Sequence, residues 1–450
     1  MPGRRMSLRD GEWLSYDHVR VVGPLTGVTA PMIRETLIAL HRQHPEHPGV
    51  CRIDRAARRR IPLSTAEYAY LVDTDVAVHA WPEPGTSEAV AVAAARAAQA
   101  ARAATEERTG TDPHEVATAE ALRDAVAALR LDDRPLKVLV CNDFVGIRMS
   151  HSVGDGRVFN TLVPEILGAG AAGRAPRLPF PRPTRLPLAR ACLRFFGRDP
   201  RRVATLLKMP RPVLPEPAAD EPRRAWQPDV CSTYVRSDAD VLGTLRQWRD
   251  THRPGVSGAA LLFAATGAAF EECGLDPSGP GIMVLVDARR YLSKNATVDG
   301  NFAPAQYVVP SDTLDPRAIH EVMSAAVAAG RPLSSLALRD LYSLRPGTGT
   351  PTEPTQVRLR PSPQLTLTHI GRLEEYSGLP WACPPAQRMM LSAPTPGGPE
   401  AVTVTFAEMA GAIHLNVTFH RSTFEEKAVR RVAELICADP VALIDAHRPR

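Results

Sequence analysis

Ser150-His151-Ser152-Val153-Gly154-Asp155-Gly156 is the stretch on which the fold turns, an H-x-x-x-D-G signature that ends a strand-like run and opens a helix-like one. Upstream, Leu136 to Asn142 and Phe144 to Met149 read as two short β segments joined near Asn142-Asp143. Downstream, Val158, Phe159, Leu162, Ile166 and Leu167 recur at helical spacing. His151 is therefore expected just past a strand, facing a cavity, with Asp155 and the amide end of a helix close by. A histidine with an orienting carboxylate is the simplest general-base device. Gly156 marks the turn into the helix, where a residue without Cβ can take backbone angles closed to others and offer its amide to a developing oxyanion. The plainer alternative is a surface turn in which His151 ends the strand and Asp155 caps the helix.

Around this motif lies a chain of 450 residues, too long for one ordinary core. Two lobes of roughly 170 to 220 residues each are expected. Aromatic residues make up only 5% against 44% hydrophobic overall, so the core must be built mainly from Ala, Val and Leu. A net charge of +5 with acidic and basic residues interleaved argues against a dedicated nucleic-acid binder. The Arg55 to Arg60 cluster and the arginines between Arg174 and Arg224 are candidates for a patch meeting an acidic partner protein or a phosphate-bearing cofactor, or for a solvated basic face. Seven cysteines, Cys51, Cys141, Cys192, Cys231, Cys273, Cys383 and Cys437, stand singly, which points to reduced thiols in a cytoplasm. The start, Met1-Pro2-Gly3-Arg4-Arg5, is followed by Asp10 and Glu12 with no apolar core and does not read as a signal peptide. Ala89 to Ala104, the longest apolar-looking stretch, is broken by Arg96, Gln99 and Arg102 and reads as a soluble helix.

The first lobe, residues 1–175, is expected to hold a strand at Leu14 to Val22, a helix from Ala30 to Gln43 with Pro31 in its first turn, and helices at Glu88 to Arg108 and Pro113 to Leu129. His41, His44 and His47 have a spacing that invites a metal, but Pro45 and Pro48 break the helix beneath them. Residues 176–228 are dense in proline and arginine and read as a linker carrying one helix from Leu188 to Leu207. The second lobe, residues 229–450, opens with a strand at Val230 to Arg236 and a helix at Ala239 to Thr251. Ser257 follows as the cap of an Ala-rich helix rather than a hydrolase nucleophile, because the second glycine of such an elbow is missing. Strands at Ile282 to Val286, Gln306 to Val309, Leu365 to Thr368, Val402 to Met409 and Ala412 to Phe419, and helices at Pro316 to Ala329 and Thr423 to Cys437, complete it.

This order of pieces resembles the chloramphenicol acetyltransferase-like superfamily, which includes non-ribosomal peptide condensation domains and polyketide-associated acyltransferases. Their shared motif is H-H-x-x-x-D-G, of which this chain keeps all but the first histidine, replaced by Ser150, so that His151 is the important one. Leu285-Val286-Asp287-Ala288-Arg289-Arg290, Gly300-Asn301-Phe302 and Leu367-Thr368-His369-Ile370-Gly371 are similar to further family segments, with His369 where an asparagine is usual. The resemblance implies an α/β protein of two acetyltransferase-like lobes, each a mixed sheet with flanking helices, and an active-site tunnel between them. It implies His151, Asp155 and Gly156 as catalytic-motif residues, Arg289 as the partner that fixes Asp155, and Ser150, Asn301, Thr368 and His369 as tunnel residues. No metal or bound cofactor is implied. The donor would be an acyl thioester of coenzyme A or of a carrier protein's phosphopantetheine, the acceptor a small alcohol or amine, and the protein a monomer.

Three functional classes follow. One is a free-standing acyltransferase or condensation enzyme of specialised-metabolite or lipid biosynthesis. Another is a non-catalytic module that docks a carrier protein, which the changes at Ser150 and His369 keep open although His151 and Asp155 are intact. The third is an acyltransferase working at a membrane surface, whose mark would be a strongly amphipathic apolar helix, and none is convincing in the sequence.

Overall fold

The computed structural model describes residues 3–79, 113–178, 183–214, 221–342 and 354–447. Two mixed sheets organise them. The first has five strands in the order Met389–Pro394, Asp17–Gly23, Phe144–Ser150, Leu136–Cys141 and Val76–Val78, antiparallel except for the last pair. The second has six, in the order Ala305–Val308, Ile282–Leu285, Gln364–Arg372, Ala401–Met409, Ala412–His420 and Val230–Arg236. Here Ile282–Leu285 and Ala401–Met409 both lie parallel to the central Gln364–Arg372.

Local chemistry explains the elements that carry the site. Asn142 takes a left-handed φ of 52°, a conformation its short polar side chain tolerates, and so closes the hairpin between Leu136–Cys141 and Phe144–Ser150. The helix Ala30–Gln43 starts on Thr29, whose hydroxyl accepts from the Met32 amide, and buries Ile33, Leu37 and Leu40. Gly156–Ala171 buries Phe159, Leu162, Val163 and Ile166 against the first sheet. Ser257 caps Gly258–Glu272 by accepting from the Ala260 amide at 3.3 Å.

The two halves share one interior. Ala407 and Met409, on a strand of the second sheet, pack in the same cluster as Phe159 and Ile166. The sheets also depart from a division of the chain at residue 229. Met389–Pro394 crosses over to form the edge of the first sheet beside Asp17–Gly23, because Met389, Met390 and Leu391 are buried there and Ser392 is held at both ends. The Ser392 amide donates to Asn416 Oδ1 at 2.9 Å, and its hydroxyl lies 3.0 Å from His18 Nε2.

Several expectations change in detail. The strand expected from Leu14 begins at Asp17, since Ser7 caps a short helix, Leu8–Glu12, that runs into a turn at Trp13–Ser15. The single linker helix is two, Pro187–Cys192 and Arg201–Lys208, separated by wider turns at Leu193–Gly197, where Gly197 and Pro200 disfavour a continuous helix. Arg223–Ala225 pairs with Gln356–Arg358, so the linker ends as part of the second lobe. The helix expected at Glu88 to Arg108 lies outside the described residues. Among the described residues no helix is long and apolar enough to cross a membrane.

Candidate active site

His151 follows the strand Phe144–Ser150, its amide donating to the Tyr16 carbonyl at 2.8 Å. Its ring stacks on Trp13, with centroids 4.2 Å apart and planes at 20°, and meets the edge of Phe159 at 5.5 Å. Nδ1 lies 3.0 Å from Asn301 Oδ1. The orientation of that amide is fixed by its other end: Asn301 Nδ2 donates to Asp10 Oδ1 at 3.1 Å and to the His151 carbonyl at 2.9 Å. Oδ1 is therefore the acceptor, Nδ1 carries the hydrogen, and Nε2 keeps its lone pair. Burial holds the His151 pKa below its ordinary value, while Asp155 and the Asn301 contact push the other way.

Sequence reasoning missed Trp13, and it missed Asp10. It is buried at 4% exposure, accepts the Asn301 amide at 3.0 Å and the Ser7 hydroxyl at 2.7 Å, and pairs with Arg60 Nη2 at 3.2 Å. Arg60 also donates to the Ser152 carbonyl at 2.7 Å, tying the motif loop to the same carboxylate. Gly300 makes this approach feasible: its φ is +119°, and a Cβ there would fall 3.0 Å from Asp10 Oδ1.

Asp155 caps the helix Gly156–Ala171 through the Arg157 amide at 3.2 Å. Its other oxygen accepts from Arg289 Nη1 and from the Phe302 amide, each at 2.8 Å. Arg289 Nη2 in turn donates to the carbonyls of Gly300 at 2.9 Å and Val298 at 3.1 Å. The aspartate and arginine are both nearly fully buried, and together they clamp the start of a first-lobe helix to the 287–302 segment of the second lobe.

The remaining sequence candidates separate. Ser150 is fully buried with its hydroxyl 2.9 Å from that of Ser152, so it does not line an open tunnel. Gly156 is not in the left-handed region, and a Cβ there would meet only Ile370 at 3.8 Å. The glycine the loop requires is Gly154, where a Cβ would lie 2.6 Å from Val158 Cβ. Thr368 is buried in the central strand of the second sheet. His369, with Nε2 3.4 Å from Glu408 Oε1, is on the wall of a cavity of about 560 Å³ whose lining includes Arg246, Arg249, Ser257 and Arg372 but not His151. His41 is stacked on Tyr68 and bonded to the Leu63 carbonyl, and His47 accepts from the Gly49 amide. Among the described residues no three His, Cys, Asp or Glu side chains are grouped as for a metal ion.

No family model matches this sequence, and no curated protein does. Solved structures do match. The first condensation domain of the calcium-dependent antibiotic synthetase is 16% identical with a TM-score of 0.54, covering 100% of this chain and 99% of its own. Polyketide synthase associated protein 5 from Mycobacterium tuberculosis is 16% identical with a TM-score of 0.53, over 98% of this chain and 100% of its own. A trichothecene 15-O-acetyltransferase from Fusarium sporotrichioides is 13% identical with a TM-score of 0.52, over 96% and 95%. At these identities the likeness is one of architecture over the whole length, and with the motif at the junction of two mixed sheets it gives the chain the two-lobed chloramphenicol acetyltransferase-like fold of condensation domains and acyltransferases.

Proposed function

We propose that this protein is an acyltransferase or condensation enzyme that moves an acyl group from a thioester to an alcohol or amine. The observation that carries the reading is the tautomer of His151: with Nδ1 donating to Asn301, Nε2 is the nitrogen left to take a proton, on a ring that burial keeps neutral near pH 7. The acceptor's O–H or N–H proton passes to Nε2 as its oxygen or nitrogen attacks the thioester carbonyl. The C–S bond then breaks and the departing sulfur takes the proton back, leaving His151 as it began. Trp13, stacked face to face on the ring, favours the transient imidazolium. Asp155 does not face the reacting atoms in this scheme, since both its oxygens are used by Arg157, Arg289 and Phe302, and its work is to hold the loop.

The donor is a coenzyme A or carrier-bound phosphopantetheine thioester in this reading. The test is thiol release from acyl-coenzyme A and acyl-carrier thioesters with alcohol and amine acceptors. Acceptor-dependent release that falls about a hundredfold in His151→Ala is expected. Silence from both proteins across donors and acceptors, with carrier protein still bound, would replace the reading by that of a docking module.

A further inference from the structure

Between Leu186 and Leu214 the chain carries seven Arg or Lys residues against a single carboxylate, Asp199. On Arg201–Lys208 the apolar Val203, Leu206 and Leu207 share one face and Arg201, Thr205 and Lys208 the other, yet no residue of this helix is buried. Leu207 is 66% exposed, Leu193 73% and Leu186 76%, an arrangement that leaves apolar side chains standing singly among cations. The segment is nevertheless firmly seated from beneath. Phe195 packs edge-on against Phe196 and Tyr291, and Gly330 is kept small by these rings, since a Cβ there would come 2.5 Å from Phe195.

Beside the helix is a groove of about 410 Å³ walled by Arg194, Arg198, Arg202 and Arg290 over Phe195 and Tyr291, with no carboxylate in its lining among the described residues. Arg202 lies over the Phe195 ring and 3.4 Å from Asp199, whereas Arg194, Arg198 and Arg290 form no ion pair among the described residues. Uncompensated guanidinium groups of this kind call for an anion, and the phosphate oxygens of a phosphodiester match their fork of paired donors.

We propose that this face docks the protein on an anionic lipid surface. The unburied leucines and Val203 enter the boundary between headgroups and acyl chains, while the arginine groove receives lipid phosphates. A fluid bilayer suits single, spaced apolar side chains better than a protein partner does, because a protein would need a shaped surface to cover them. The proposal is independent of acyl transfer and is tested without any substrate.

The experiment is co-sedimentation of the full chain with vesicles of phosphatidylcholine alone or with about a third phosphatidylglycerol, at low and high salt. Binding only to the anionic vesicles, weakening with salt, is expected. The lipid needed for half-binding should rise at least tenfold in the double variant Val203→Asp/Leu207→Asp and in Arg194→Glu/Arg198→Glu, each checked for unchanged melting. Leu207→Trp supplies a readout that survives misfolding of the aspartate variant: its added emission should shift to the blue on anionic vesicles. No binding, equal binding to neutral vesicles, or unchanged binding by both double variants would overturn the proposal, and so would an unshifted Leu207→Trp.

Discussion

A single amide decides which nitrogen of His151 is available. Asn301 sits with its NH2 pinned by Asp10 and by the His151 carbonyl, so its oxygen can only receive the Nδ1 hydrogen. Asn301→Ala removes both the tautomer preference and a contact that favours the protonated ring. We expect kcat/KM to fall roughly tenfold, with the Nδ1-H to Nε2-H ratio, read from histidine 15N shifts, moving toward a mixture. The sign of the pH dependence follows from burial. A base must be neutral to act, and burial sets the His151 pKa below 6.5, so kcat/KM should be level above pH 6.5 and fall as pH drops through a lower inflection. In Asn301→Ala that inflection should move lower still. An inflection above 6.5 in the wild type would contradict the environment described for the ring.

At the scale of elements, Asp155 joins a helix start to a loop of the other lobe, and its loss leaves Arg289 with Asp287, at 3.2 Å, as its remaining carboxylate. Asp155→Ala takes from a buried guanidinium its closer and more buried partner, a change worth about 3 kcal/mol, and should appear as a marked drop in Tm together with lost activity. Asp155 was legible in the sequence as a helix cap after a strand end, whereas Arg289, 134 positions away, was placed beside it by the family resemblance alone. Asp10 was not legible, because it meets Asn301 across 291 positions and sits on a short helix with no periodicity to reveal it. The strand Met389–Pro394 was equally hidden. A brief apolar run ending in proline has no alternation, and only its distant partners, Asp17–Gly23 and Asn416, make it a strand. By contrast, Ala30–Gln43 and Ala412–His420 follow their hydrophobic periods closely, the helix turning Ile33, Leu37 and Leu40 inward and the strand alternating Ile413, Leu415, Val417 and Phe419 with polar residues. The helix expected from Leu188 to Leu207 covers most of Arg201–Lys208, but its amphipathic character escaped notice because proline and arginine on either side mask its short apolar face.

In the whole molecule, the exchanged strand makes the lobes one folding unit. A fragment of residues 1–228 lacks the edge of its own sheet and the second-lobe residues Ala407 and Met409 that complete its core. It should show no cooperative thermal transition, whereas the full chain should unfold in one; a sharp melt of the fragment, followed by circular dichroism, would mean that the first sheet closes unaided. The same interlocking gives the Asn301 contact a further meaning. The imidazole comes from one half of the chain and the group that chooses its protonated nitrogen from the other. The protonation pattern of the imidazole is thus conditional on assembly. While the second half is still being synthesised, the first carries an imidazole with no assigned tautomer, so that under the proposed function a half-made chain would lack its defined base.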